Sequence, residues 1–219
     1  MTNNGYNVLL LDFDGTLVST LDSFVYSAGK ALESMGFRVS LELLYTNLTK
    51  PFDRVVEKLV GPLDATVKRE LVDRYIEVYN TEGYKYSKPN SGAFEVLDRL
   101  ANWGVKLGIV TSRSLLHDSI QKTLEYLSLA KYVNTLITAR DVPKPKPYPD
   151  QYFLALRRLG GTPSNTLSVG DSPEDIEGSR SAGIRVAAYT KGFYTYDQLV
   201  VYRPDYVLHE LSDLLQLFE

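Results

Sequence analysis

Asp12 and Asp14 stand one residue apart at the end of an apolar run, Val8-Leu9-Leu10-Leu11, and Gly15-Thr16 follows them. Alternation along an extended chain turns both carboxylates to the same side. Like charges that close repel, so the pair is tolerable when a cation lies between them or when one of them is protonated. Asp-x-Asp-Gly also opens calcium loops, but those need further oxygen ligands and a closing Glu at fixed offsets. Here Leu17 and Val18 follow with no such Glu.

Three more polar clusters come later: Thr111-Ser112-Arg113, the lysines 144 and 146 in a proline-rich loop, and Gly170-Asp171-Ser172-Pro173-Glu174-Asp175. The chain has no cysteine and only two histidines, His117 and His209. Thiolate chemistry and Cys- or His-rich metal sites are therefore excluded, and an oxygen-ligated hard ion such as Mg²⁺ is favoured. Acidic residues for a metal, hydroxyl donors and a lysine are what phosphoryl transfer requires around the equatorial oxygens. Each cluster also has a plainer reading. Thr111-Ser112 would cap a helix, Lys146 would be a surface lysine, and Asp171 and Asp175 would cap the helix that follows. Those readings must hold jointly at four strand ends.

The elements around these residues alternate. Val8–Leu11 reads as a strand buried on both faces. Apolar residues then recur at three- and four-residue spacing over 19–36, 40–48, 52–60 and 67–79, so residues from about 18 to 82 read as helical throughout. From Ser91 strands and helices interleave: strands over 105–110, 133–138, 166–169, 184–189 and 206–208, with helices over 91–104, 120–129, 152–159, 176–182 and 211–218. This order implies a doubly wound parallel α/β sheet with right-handed crossovers. The polar clusters then fall on its carboxyl edge, where such sheets bind ligands. The expected domains are an α/β core of residues 1–17 and 88–219 and an all-helical cap of residues 18–87. Both connections leave one edge of the sheet, so the cap is expected to act as a lid.

Composition narrows the partners. At 44% hydrophobic and 23% charged, the chain can bury a sizeable core. A net charge of −3 gives no support for a nucleic-acid or anionic-membrane partner. No segment approaches a membrane span, and the N-terminus shows no basic region before an apolar stretch, so a cytoplasmic protein is expected, monomeric or homodimeric.

In order, Asp12-Phe13-Asp14-Gly15-Thr16, Thr111-Ser112, Lys146-Pro147-Tyr148-Pro149-Asp150 and Gly170-Asp171-Ser172-Pro173-Glu174-Asp175 resemble the haloacid dehalogenase superfamily, specifically its members with a small helical cap. The resemblance covers essentially the whole chain and implies a Rossmann-like core. It implies that Asp12 is the nucleophile, forming an aspartyl-phosphate, and that Asp14 is the general acid and then the base. It implies Mg²⁺ held by Asp12, the backbone carbonyl of Asp14 and Asp171, with Asp175 in support through metal-bound waters or through Lys146. Thr111 and the Ser112 backbone would donate to the phosphoryl group, and Lys146 would neutralise charge. Lys144 competes for that role, and the Pro-x-Pro-Asp that follows favours Lys146. An acid at position 14 argues for phosphate chemistry over dehalogenation. The break Thr49-Lys50-Pro51-Phe52-Asp53-Arg54 resembles the family's specificity loop, so Lys50 or Arg54 would reach an anionic group of the substrate. The expected function is a Mg²⁺-dependent phosphatase acting on a small metabolite: phosphoglycolate, a sugar phosphate, a nucleotide or pyrophosphate. A phosphomutase and a non-catalytic binding protein on the same fold are the alternatives.

Overall fold

A strand buried on both faces has no solvated side to alternate toward, and the four apolar residues after Asn7 form such a strand at the centre of the sheet. The structure is a computed structural model that describes residues 5–219. The reading of the extreme N-terminus, including the start of the core at residue 1, lies partly outside the described residues. In chain order the elements are β1 (Val8–Leu11), β2 (Val18–Ser19), α1 (Leu21–Ser34), α2 (Leu41–Asn47), α3 (Phe52–Val60) and α4 (Ala65–Thr81). Then come β3 (Lys88–Pro89), α5 (Ala93–Asn102), β4 (Lys106–Val110), α6 (Asp118–Tyr126), β5 (Val133–Ile137) and α7 (Asp150–Leu159). The chain closes with β6 (Thr166–Gly170), α8 (Pro173–Ser181), β7 (Arg185–Tyr189), α9 (Tyr196–Val200), β8 (Tyr206–Leu208) and α10 (Leu214–Phe218).

Six strands form one sheet in the order β5-β4-β1-β6-β7-β8, and every neighbouring pair runs parallel. Leu11 is level with Ile109 of β4 on one side and Val169 of β6 on the other. The chain builds outward from β1 to β4 and β5, then resumes on the opposite side with β6. This reversal opens a crevice at the carboxyl ends of β1, β4 and β6. The doubly wound parallel α/β fold expected from the sequence is thus the one observed.

The chain divides into two compact units, one of residues up to Ser19, Pro89–His117 and Leu127–Glu219, the other of Thr20–Lys88 and Asp118–Tyr126. The first is the α/β unit. Its core packs Val8, Leu10, Val110 and Ile137 against Tyr152, Ala155 and Leu156 of α7. The second is helical. There α1 packs along α4, the Phe52 and Tyr75 rings lie 4.6 Å apart, and Ser40 and Asp64 cap α2 and α4 through their side chains.

Three local readings need correction. Val18–Ser19 is extended, not helical, and forms a separate two-stranded sheet with β3. Helix α9 falls in a stretch the sequence leaves without an element. It is one short turn-and-a-half that buries only Leu199 and starts from a Thr195–Gln198 capping box, too short to show periodicity. The last helix begins at Leu214, and Leu211–Asp213 is a 3₁₀ turn. Among the described residues no helix is long and apolar enough to cross a membrane.

Candidate active site

Asp12 continues the ladder one residue past β1, its amide donating to the Val169 carbonyl at 2.9 Å. The side chain is thereby fixed at the carboxyl edge and is buried. Lys146 Nζ lies 2.9 Å from Asp12 Oδ1, 2.5 Å from Asp175 Oδ1 and 2.6 Å from the Val110 carbonyl oxygen, so its three donors are all used. Its side chain is 1% exposed. Lys144 is exposed and lies over the Tyr148 ring, so the two lysines part company by burial. Gln151, fully buried, accepts from the Lys146 amide at 2.9 Å and donates to the Thr111 carbonyl at 2.8 Å. One side chain thus joins the lysine loop to the end of β4.

Asp175 serves two purposes. It is the third residue of α8 and completes a capping box with Ser172, and its other carboxylate oxygen meets Lys146. The cap reading of this residue is the geometry observed, and the same carboxylate also pairs with Lys146. Asp171 follows β6 directly and is also buried. Its carboxylate accepts from Thr16 Oγ1 at 2.7 Å and from the Phe193 amide at 2.6 Å. Gly15 makes that approach feasible: its φ is +86°, and a Cβ there would lie 2.5 Å from Asp171 Oδ2. Asn90 Nδ2 donates to the Gly15 and Thr16 carbonyls at 2.8 and 2.7 Å and fixes the turn.

Asp12, Asp171 and Asp175 offer carboxylate oxygens that all lie within 4.8 Å of one another. Three buried carboxylates gather here beside one ammonium, which contacts two of them, Asp12 and Asp175. Burial first, then the neighbouring carboxylates, push Asp12 well above the ordinary carboxylate range against the pull of Lys146. Burial and the Asp175 charge push Asp171 up to about 7, against its hydrogen bonds from Phe193 and Thr16. Burial opposes the Lys146 charge, but Asp12 and Asp175 outweigh it and hold its pKa well above the ordinary lysine value. An all-oxygen trio with surplus negative charge fits a small hard cation.

Asp14 does not join that trio. Strand geometry ends at Leu11, and the chain turns: the Gly15 amide donates to the Val18 carbonyl at 2.8 Å and the Val18 amide to the Phe13 carbonyl at 2.9 Å. The alternation that would place both aspartates on one side is therefore lost, and the Asp14 carboxylate meets Arg113. Nε donates to Oδ2 at 2.7 Å and an η-nitrogen to Oδ1 at 2.6 Å. Arg113 is buried and lies 5.0 Å from the Phe13 ring centre. The sequence reading gave Arg113 no role.

Thr111 is buried at the end of β4 and accepts from the Arg113 amide at 3.2 Å, while Ser112 beside it is exposed. No helix starts there; the next begins at Asp118, which removes the cap reading of Thr111. Asp12, Asp14, Thr111, Lys146, Asp171 and Asp175 thus all belong to the α/β unit: the first three and Asp171 just beyond β1, β4 and β6, Lys146 in the loop between β5 and α7, and Asp175 in the first turn of α8. Lys50 and Arg54 are exposed residues of the helical unit, before and within α3. Thr16 and Arg113 stand in the clusters named from the sequence but carry no individual role there, and Gln151 is not singled out at all. For Thr16 the signal was its place inside Asp-x-Asp-Gly-Thr. For Gln151 there was none.

A parallel α/β sheet with a buried Asp–Lys pair and an acidic trio at its carboxyl edge can hold a hard cation and an anionic ligand where such sheets bind ligands. The sequence model of the haloacid dehalogenase-like hydrolase family matches residues 9–189, and the chain belongs to that family. It is 30% identical over 226 residues to pyrophosphatase PpaX of Bacillus velezensis, with 99% of this chain and 98% of that protein covered. It is 29% identical over 216 residues to pyrophosphatase PpaX of Halalkalibacterium halodurans, with 96% of each covered. Among solved structures it is similar to a predicted phosphoglycolate phosphatase from Haemophilus somnus, at TM-score 0.85 and 21% identity, with 99% of this chain and 100% of that one covered. That last likeness speaks to fold. Together the relatives bear out the expectation of a phosphatase-type hydrolase.

Proposed function

We propose that the protein is a Mg²⁺-dependent phosphatase that hydrolyses a small phosphorylated metabolite through an aspartyl-phosphate on Asp12. The observation that carries this reading is the buried Asp12 carboxylate, 2.9 Å from Lys146 Nζ and within 4.8 Å of the Asp171 and Asp175 oxygens. Lys146 takes Oδ1, which leaves Oδ2 as the attacking atom. As Oδ2 bonds to phosphorus, the bond to the leaving oxygen breaks, and Asp14 gives that oxygen a proton. Water then attacks the same phosphorus, its proton passes to Asp14, and Asp12 is released. Thr111 and the Ser112 amide donate to the phosphoryl oxygens. Asp12, Asp171 and the Asp14 carbonyl would hold Mg²⁺, with Asp175 in support. When bound, the ion supplies charge neutralisation at the phosphoryl oxygens.

The relatives' names favour pyrophosphate first and phosphoglycolate second among substrates. Lys50 and Arg54 are assigned to the part of the substrate beyond the reacting phosphate. The test is p-nitrophenyl phosphate hydrolysis with and without Mg²⁺, beside Asp12→Asn, followed by a panel containing pyrophosphate and phosphoglycolate. We expect Mg²⁺ dependence, release of free inorganic phosphate, and a loss of about 10³-fold or more in the variant. Equal rates for variant and parent would refute the nucleophile. Turnover without phosphate release would favour a phosphomutase.

A further inference from the structure

We infer that Arg113 is the positioning residue for Asp14: it holds the acid–base carboxylate in register with the phosphoryl donor Thr111. The inference rests on the proposed roles of Asp12 and Asp14. Three observations carry it. The contact is bidentate, at 2.7 and 2.6 Å, and a guanidinium fork fixes the plane of a carboxylate as well as its place. Arg113 is anchored independently of Asp14. Its ring contact with Phe13 is 5.0 Å, its amide donates to Thr111 Oγ1 at 3.2 Å, and its carbonyl accepts from the Ala139 amide at 3.2 Å. Thr111 and Arg113 also leave the same strand two residues apart, so one loop sets both the phosphoryl donor and the acid–base group.

With both oxygens accepting from Arg113, Asp14 cannot also donate a proton from the same arrangement. During the reaction it exchanges one arm of the fork for the leaving oxygen or the incoming water. The other arm keeps the carboxylate in place. Removing Arg113 leaves Asp14 present but unaimed, a defect confined to the steps Asp14 serves.

p-Nitrophenyl phosphate separates those steps. When Asp12 Oδ2 bonds to phosphorus, the aryl oxygen leaves with its electron pair as p-nitrophenolate, a leaving group that needs no proton. The second step, in which water attacks phosphorus, the Asp12–phosphorus bond breaks and a proton passes to Asp14, still needs Asp14 aimed. Rapid-mixing kinetics on Arg113→Ala, Arg113→Lys, Asp12→Asn and the parent test this. For Arg113→Ala we expect a burst approaching one p-nitrophenolate per chain, larger than the parent's. The steady rate that follows should lie about 10²-fold below the parent's, with KM unchanged or lower. Arg113→Lys should lie between the two, since an ammonium keeps the charge without the fork. If Arg113→Ala does not fold, Arg113→Lys carries the same test on its own. A raised KM without a burst would show that Arg113 binds substrate. A uniform rate loss without a burst would make it a scaffold residue. Either result overturns the inference. Parental turnover by Asp12→Asn would instead refute the nucleophile on which the inference rests.

Discussion

Replacing Lys146 with Met keeps the bulk of the side chain and deletes the charge that two buried carboxylates share. At an effective dielectric of about 20, charges 2.9 and 2.5 Å apart attract by about 6 kcal/mol each. Most of that repays the removal of the ions from water, so deletion of one partner from a buried pair has a net cost of about 3–5 kcal/mol. In a chain of 219 residues this corresponds to a fall in Tm of about 6–20 °C. The assay is thermal unfolding in EDTA at pH 7.5 and at pH 5. The deficit should be larger at pH 7.5, because burial raises the Asp12 carboxyl and, once orphaned, it takes up a proton at acid pH and sheds its charge. Asp175→Asn placed on top of Lys146→Met should recover part of the loss, since one orphaned charge is gone. Lys144→Met should leave Tm and activity at parental values. A Lys146→Met shift under about 2 °C at pH 7.5, or a deficit that does not change with pH, would refute the account.

Asp171, pushed up to about 7, holds a proton in the folded state that the unfolded chain has released above about pH 4. Metal-free stability should therefore fall as pH rises from about 4 to 7, and Mg²⁺, which competes with that proton, should raise Tm more at pH 8 than at pH 5. Equal Mg²⁺ shifts at both pH values would count against the trio as its site. Gly15→Ala combines a φ of +86° with a Cβ 2.5 Å from Asp171 Oδ2, so a loss of about 1–3 kcal/mol and a weaker Mg²⁺ activation curve are expected. An unchanged activation curve would separate Gly15 from the metal site. Lys50→Ala should raise KM several-fold, roughly 1 kcal/mol of binding, for substrates with a second anionic group and not for p-nitrophenyl phosphate. The same KM as the parent for every accepted substrate would remove Lys50 from the site.

Much of the site could be read from local sequence because strand ends announce themselves. Leu11–Asp12 and Gly170–Asp171 are abrupt changes from apolar to acidic, and a parallel sheet brings such ends to one edge. Lys146 was harder to separate from Lys144. What distinguishes them is the depth of one loop residue, set by Gln151 binding both the Lys146 amide and the Thr111 carbonyl. That contact joins positions 40 residues apart and leaves no local pattern. Helix α9 stayed hidden for a different reason, since a single buried leucine has no period.

The pairing of Asp14 with Arg113 spans 99 positions and depends on a turn that strand periodicity does not foresee. Read as a strand, Asp12 and Asp14 share a side, and their repulsion calls for one cation between them. The fold instead gives each its own. Asp12 faces an ammonium shared with Asp175, a compact charge whose three donors are already committed. Asp14 faces a guanidinium that grips both of its oxygens and can release one while keeping the other. A nucleophile needs one oxygen held and the other free to attack, and an acid–base group needs to exchange hydrogen-bond partners without losing its place. The two cations come from different loops, after β4 and before α7, and under the proposed mechanism that difference is what would divide the work between two chemically identical side chains.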